Sequence, residues 1–132
     1  MRVDFIINTT PVSKQRPRLG KGGCVYTPSK TKVFENIVAL SYGNRPSFND
    51  KYIRIRLKFK FEVPKSYSKK KRLEALEGKI RPTKGDVDNY AKAVLDGLNG
   101  VAFKDDRYIY AMETEKIYDI ESGIEVVIES IE

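Results

Sequence analysis

YIRIRLKFKFEV, residues 52–63, alternates apolar and polar side chains along its whole length. A strand turns successive side chains to opposite faces, so Ile53, Ile55, Leu57, Phe59, Phe61 and Val63 share one face. Tyr52, Arg54, Arg56, Lys58, Lys60 and Glu62 share the other. The first face belongs to a core. The second carries four cations two residues apart, about 6–7 Å per step, and is either a solvated sheet face or a row of phosphate contacts. Pro64 ends the strand.

The neighbouring segments supply what such a strand must pack against. Residues 2–8, RVDFIIN, read as a short strand, and residues 10–27, rich in Pro, Gly and basic residues, as a loop. Ser29 or Thr31 can cap a helix over 30–42, with an apolar stripe of Val33, Phe34, Ile37, Val38 and Leu40. Ser68 can cap a short basic helix, KKKRLEALEG, closed by Gly78. A third helix is predicted from Asp88 or Asn89 to about Leu98, with Ala91, Leu95 and Leu98 on one face. Residues 107–118 and 123–130 read as strands joined into a hairpin through DIESG. The expected architecture is a single α+β domain over residues 1–132: a mixed or antiparallel sheet of about four strands with helices packed on it.

Composition narrows the function. The 132 residues carry a net charge of +7, unevenly spread: +5 over residues 1–50, +10 over 51–84 and −8 over 85–132. A basic two-thirds beside an acidic third suits a polyanion partner plus a separate use for carboxylates, or a solubilising surface. Histidine is absent, which removes Ser-His and Cys-His catalysis and His-based zinc sites. One cysteine, Cys24, makes no internal disulfide, so a cytoplasmic setting is expected. No apolar run approaches the ~20 residues that span a bilayer, and no membrane partner is expected. MRVDFIINTT has Asp4 within its apolar stretch and no cleavage-site pattern, so no signal peptide is expected.

Five aspartates gather in KGDVDNYAKAVLDGLNGVAFKDD, residues 84–106. Asp86 and Asp88, two apart, point the same way if extended. Lys92 follows Asp88 by four residues, on the same helix face. The chain after the helix can turn back and bring Asp105 or Asp106 toward that point. Clustered carboxylates repel unless a cation sits among them, and oxygen-only ligand sets suit Mg2+ or Mn2+. Such an ion beside a phosphodiester lowers the pKa of bound water and stabilises charge on phosphorus. The alternative is structural: Asp88 as a helix cap, and Asp105 and Asp106 as turn residues.

The basic residues complete the pattern. Residues 10–32 hold six cations and no acid, and Lys14, Arg16, Arg18 and Lys21 are candidate phosphate contacts. Lys69, Lys70, Lys71 and Arg72 are a second candidate cluster, set against the dipole of their own helix N-terminus.

DVDNYAKAVLDGLNGVAFKDDRYI resembles the signature of RusA-type Holliday junction resolvases: Asp-x-Asp-Asn, a lysine four residues after the second Asp, Asp-x-Leu, an aromatic and Asp-Asp. PVSKQRPRLGKGGCVYTPSKTKVFE resembles the same family's basic Pro-x-x-Lys-x-Arg-Pro-Arg segment. The resemblance implies a bacterial or phage-encoded α+β homodimer that cuts four-way, branched DNA symmetrically with Mg2+, or Mn2+ as its substitute. It puts the metal-binding aspartates on Asp86, Asp88 and Asp106 and the functional lysine on Lys92, so that these four are the expected catalytic residues. Tyr90 stands where the family more often has leucine. Gly85 stands where proline or a charged residue is common. Two rivals remain at this point, a non-catalytic branched-DNA-binding protein and a flap or fork nuclease.

Overall fold

The strand predicted over residues 52–63 forms as β4, Ile53–Glu62, and it is central to the sheet. The computed structural model describes residues 1–14, 18–19, 25–26 and 29–131, with residues 18–19 and 25–26 described by their backbone alone. β1 is Arg2–Ile7, and two short strands, β2 (Arg18–Leu19) and β3 (Val25–Tyr26), pair antiparallel as a separate ribbon. α1 is Ser29–Tyr42, α2 Lys69–Leu76 and α3 Val87–Leu98. β5 (Ile109–Asp119) and β6 (Gly123–Ser130) end the chain.

The four long strands lie in the order β1-β6-β4-β5. β6 is antiparallel to both β1 and β4, and β4 is parallel to β5, so the sheet is mixed. A parallel pair needs a long crossover, and here α2 and α3 provide it. The architecture is the α+β arrangement that the sequence predicts. The expected hairpin is not: β5 and β6 do not pair, because β4 lies between them. Two strand spacings are about 9.5 Å, and the link from Asp119 to Gly123 can reach about 13 Å. It passes the end of β4, where Ser122 Oγ accepts a hydrogen bond from the Glu62 amide at 3.0 Å.

Burial explains that order. Ile53, Ile55, Leu57 and Phe59 of β4 are fully or almost fully buried, together with Val3, Phe5 and Ile7 of β1 and Ile124, Val126 and Ile128 of β6. α1 and α3 close this face through Phe34, Val38 and Tyr42 on one helix and Tyr90, Ala91, Val94 and Leu98 on the other. The buried row of α1 follows i, i+4, i+8. Val33 and Leu40 fall off it and stand 57% and 79% exposed, contrary to the expected stripe. The helices meet at Gly97, where a Cβ would lie 2.7 Å from Val38 Cβ. Only a glycine permits that approach.

The opposite sheet face is charged and self-neutralising. Arg56 pairs with Glu113 at 3.3 Å, Lys58 with Glu115 and Glu125 at 3.8 and 3.9 Å, and Lys60 with Asp119 at 4.0 Å. Three of the four cations of the ladder, Arg56, Lys58 and Lys60, therefore face carboxylates of β5 and β6, which favours the solvated-face reading. Among the described residues no helix is long and apolar enough to cross a membrane.

Candidate active site

α3 begins one residue earlier than predicted, with Asp86 as its cap residue in an extended conformation (φ −99°, ψ 135°). The Asp86 carbonyl accepts hydrogen bonds from the amides of Asn89 and Tyr90 at 3.1 and 3.2 Å. Its carboxylate makes no capping bond to the helix. Asp88 lies in the first turn, where the helix dipole favours negative charge. Both side chains are exposed, and among the described residues no ion pair holds either. The same segment thus presents two unneutralised carboxylates at one helix end.

One turn further along α3 the charges interlock. The Lys92 ammonium lies 3.2 Å from Asp96 Oδ1 and 3.6 Å from Asp106 Oδ2. The other oxygen of Asp96 lies 3.0 Å from the Lys14 ammonium, which also donates to Glu35 Oε2 at 2.8 Å. Five side chains from four parts of the chain therefore form a continuous row: Glu35, Lys14, Asp96, Lys92 and Asp106. The hydrogen bond to Asp96, aided by Asp106, raises the Lys92 pKa above the ordinary lysine value. Burial opposes the charge on Lys14, but Glu35 and Asp96 outweigh it and its pKa is also raised. The Lys14 amide donates to the Asn89 carbonyl at 3.0 Å, fastening the N-terminal segment to the first turn of α3.

A 3-10 turn, Asp106–Tyr108, sets Asp106 in place. Its cap is Asp105, whose Oδ1 accepts from the Arg107 amide at 2.9 Å, and this backbone hydrogen bond holds the Asp105 pKa below its ordinary value. Asp105 is thus occupied by the turn, while Asp106 reaches Lys92.

Asp86 and Asp88 lie at the cap and in the first turn of α3, and Asp106 stands with Lys92 and Asp96 instead. Among the described residues, no three acidic side chains group closely enough to share an ion, so the expected three-aspartate convergence is not found within the chain. The reason is geometric: the 3-10 turn meets α3 at Lys92, a turn beyond Asp88. Lys14 is partly buried in its two ion pairs rather than free at the surface. Arg16 and Lys21 lie outside the described residues, as does the side chain of Arg18. Lys69, Lys70, Lys71 and Arg72 form the first turn of α2, capped by Ser68 Oγ accepting from the Lys71 amide at 3.2 Å. Lys71 Nζ lies 4.1 Å from the centroid of the Tyr67 ring.

The sequence reading missed the roles of Asp96 and Glu35. Asp96 had a signal, its i,i+4 spacing from Lys92. Glu35, far along the chain, had none.

Residues 8–129 match the family described as Endodeoxyribonuclease RusA. The chain is also similar to the uncharacterized protein YqaN of Bacillus subtilis (strain 168), at 36% identity over 137 residues covering 98% of this chain and 96% of the relative.

Proposed function

The chain belongs to the RusA endodeoxyribonuclease family, an enzyme acting on DNA, and from that premise we propose that it resolves four-way junctions by paired, symmetric, Mg2+-dependent nicks. The observation that carries this reading is the pair of exposed, unneutralised carboxylates, Asp86 and Asp88, one turn from a lysine held by acids.

The donor set suits a hard cation. Mg2+ keeps several waters and is commonly bound through one or two carboxylates plus substrate phosphate oxygens. Asp86 and Asp88 would supply those carboxylates, and Asp106, which stands 3.6 Å from the Lys92 ammonium, would join them as a third donor only by leaving that contact. When bound, the ion lowers the pKa of water and offsets charge on the phosphoryl group. Lys92 would neutralise a phosphate oxygen of the strand being cut, while Asp96 fixes where its ammonium stands. Asp105 keeps the turn closed and so holds Asp106 against Lys92. The basic first turn of α2 would grip the DNA backbone, since phosphates offset the cost of four cations at a helix N-terminus.

Paired nicks across a junction of near two-fold symmetry need two active sites, so the working form is a homodimer. The substrate is branched DNA in the cytoplasm of a bacterium, its own or a phage's.

Incubating the protein with Mg2+ and a four-way junction, a flap, a fork and a linear duplex of matched sequence tests this reading. Symmetric nicks in two opposed strands of the junction, faster than any cut in the others, are expected. Equal or faster cutting of flap or fork would make it a nuclease of different preference. Junction binding without cutting under any divalent metal would leave only a DNA-binding protein.

A further inference from the structure

The peptide immediately before Asp86 is held by two side chains from different elements. Lys116, on β5, donates from Nζ to the Gly85 carbonyl at 2.8 Å. Tyr90, on α3, donates from its hydroxyl to the Lys84 carbonyl at 3.2 Å. Two successive carbonyls in a segment without regular structure are thus both taken. Arg81 ties the same segment to β5 again, through Glu115 Oε2 and the Lys116 carbonyl, each at 3.3 Å.

Tyr90 is itself packed in the core. It is 4% exposed, with its ring 5.6 Å from that of Phe59 and 5.5 Å from that of Phe61, centroid to centroid. Gly85 has φ +71°, and a Cβ there would lie 2.5 Å from the Tyr90 hydroxyl and 2.7 Å from its ring. Tyr90 therefore occupies the space that any other residue at position 85 would need.

From this geometry we propose that Lys116 and Tyr90 are positioning residues that clamp the Lys84–Gly85 backbone and fix Asp86 before any metal arrives. Fixing a free backbone residue costs conformational entropy. A clamp built into the fold meets that cost during folding, so metal binding does not, which is the advantage of a preorganised site. The proposal rests on the reading of Asp86 as a metal donor.

Two measurements test it, on the wild-type chain and on Lys116→Met, Tyr90→Phe and Asp86→Asn. The first is the backbone 15N order parameter of residues 84–86 without metal. The second is the Mn2+ dissociation constant of the protein alone, from the electron paramagnetic resonance signal of free Mn2+. Lys116 lies on an edge strand and phenylalanine keeps the Tyr90 ring, so both variants should fold. In each, the order parameters should fall from near 0.85 toward 0.6. Mn2+ affinity should weaken roughly tenfold, as it does when groups supporting a metal ligand are removed. Unchanged order parameters in both variants would overturn the clamp. So would lower order parameters with wild-type Mn2+ affinity, if Asp86→Asn weakens that affinity. If Asp86→Asn leaves the affinity unchanged, the reading of Asp86 as a donor falls, and the order parameters alone decide whether the clamp exists.

Discussion

Asp96 Oδ1 lies 3.2 Å from the ammonium of Lys92, one turn earlier on α3. The contact joins the candidate catalytic lysine to an aspartate in the last turn of the same helix. Because Lys14 takes the second oxygen at 3.0 Å, Asp96 is held from both sides and can hold Lys92 in turn. Asp96→Asn should therefore slow junction cleavage by about 10- to 100-fold, the equivalent of the ~1.5–3 kcal/mol of a charge-assisted hydrogen bond. Single-turnover cleavage with saturating enzyme reads this. Asp105→Asn, which weakens only the cap of the 3-10 turn, should lower the melting temperature slightly and leave the single-turnover rate within a few-fold.

Lys14→Met should lower stability at neutral pH by about 1–2 kcal/mol, between the values of exposed and buried ion pairs. The pKa of Lys14 is raised in the fold, so its contribution is full below the ordinary lysine value of 10.5. It is lost as pH rises through the higher folded value. Urea unfolding at pH 7 should separate the variant from wild type, and the gap should close only in strong alkali.

Junction affinity should fall steeply with salt, because each phosphate contact releases counterions. Replacing Lys69 or Lys70 by Met should reduce the slope of log K against log salt by about one. Lys14→Met and Lys58→Met should leave the slope unchanged, since both lysines are already paired with carboxylates. Fluorescence anisotropy with a labelled junction in EDTA, across a salt series, measures all of these.

Gly97→Val should force α1 and α3 apart and cost about 1–3 kcal/mol, more than the helix propensity of valine could return. Thermal unfolding checks this. A wild-type melting temperature would mean that the helices do not cross as closely as 2.7 Å from a Gly97 Cβ to Val38.

Local signals carried most of the fold. The alternation in residues 52–63 identified β4 and its buried face, and period and caps located all three helices. What failed was non-local. The sequences of β5 and β6 say that each is a strand but not that β4 inserts between them, because strand order depends on which faces need covering on both sides. α1 misled for a different reason: Val33 and Leu40 are as apolar as Phe34 and Val38, and only the position of α3 decides which row is buried. At the site, Asp86, Asp88 and Lys92 were legible because they sit within two turns of one helix. The Lys14–Asp96 pair and the Lys116 contact to Gly85 join segments far apart in sequence, and no spacing rule reaches them. The resemblance groups Asp106 with Asp86 and Asp88, whereas the 3-10 turn sets it against Lys92, a placement that no local pattern announces.

The proposed cleavage depends on the carboxylates at the start of α3 holding the ion beside DNA that the basic surface binds. The most direct measurement is Mg2+-dependent cleavage of a four-way junction by Asp86→Asn, with junction binding followed in parallel. Binding equal to or tighter than wild type with cleavage abolished is the expected result. Cleavage at the wild-type rate would exclude Asp86 as a metal donor.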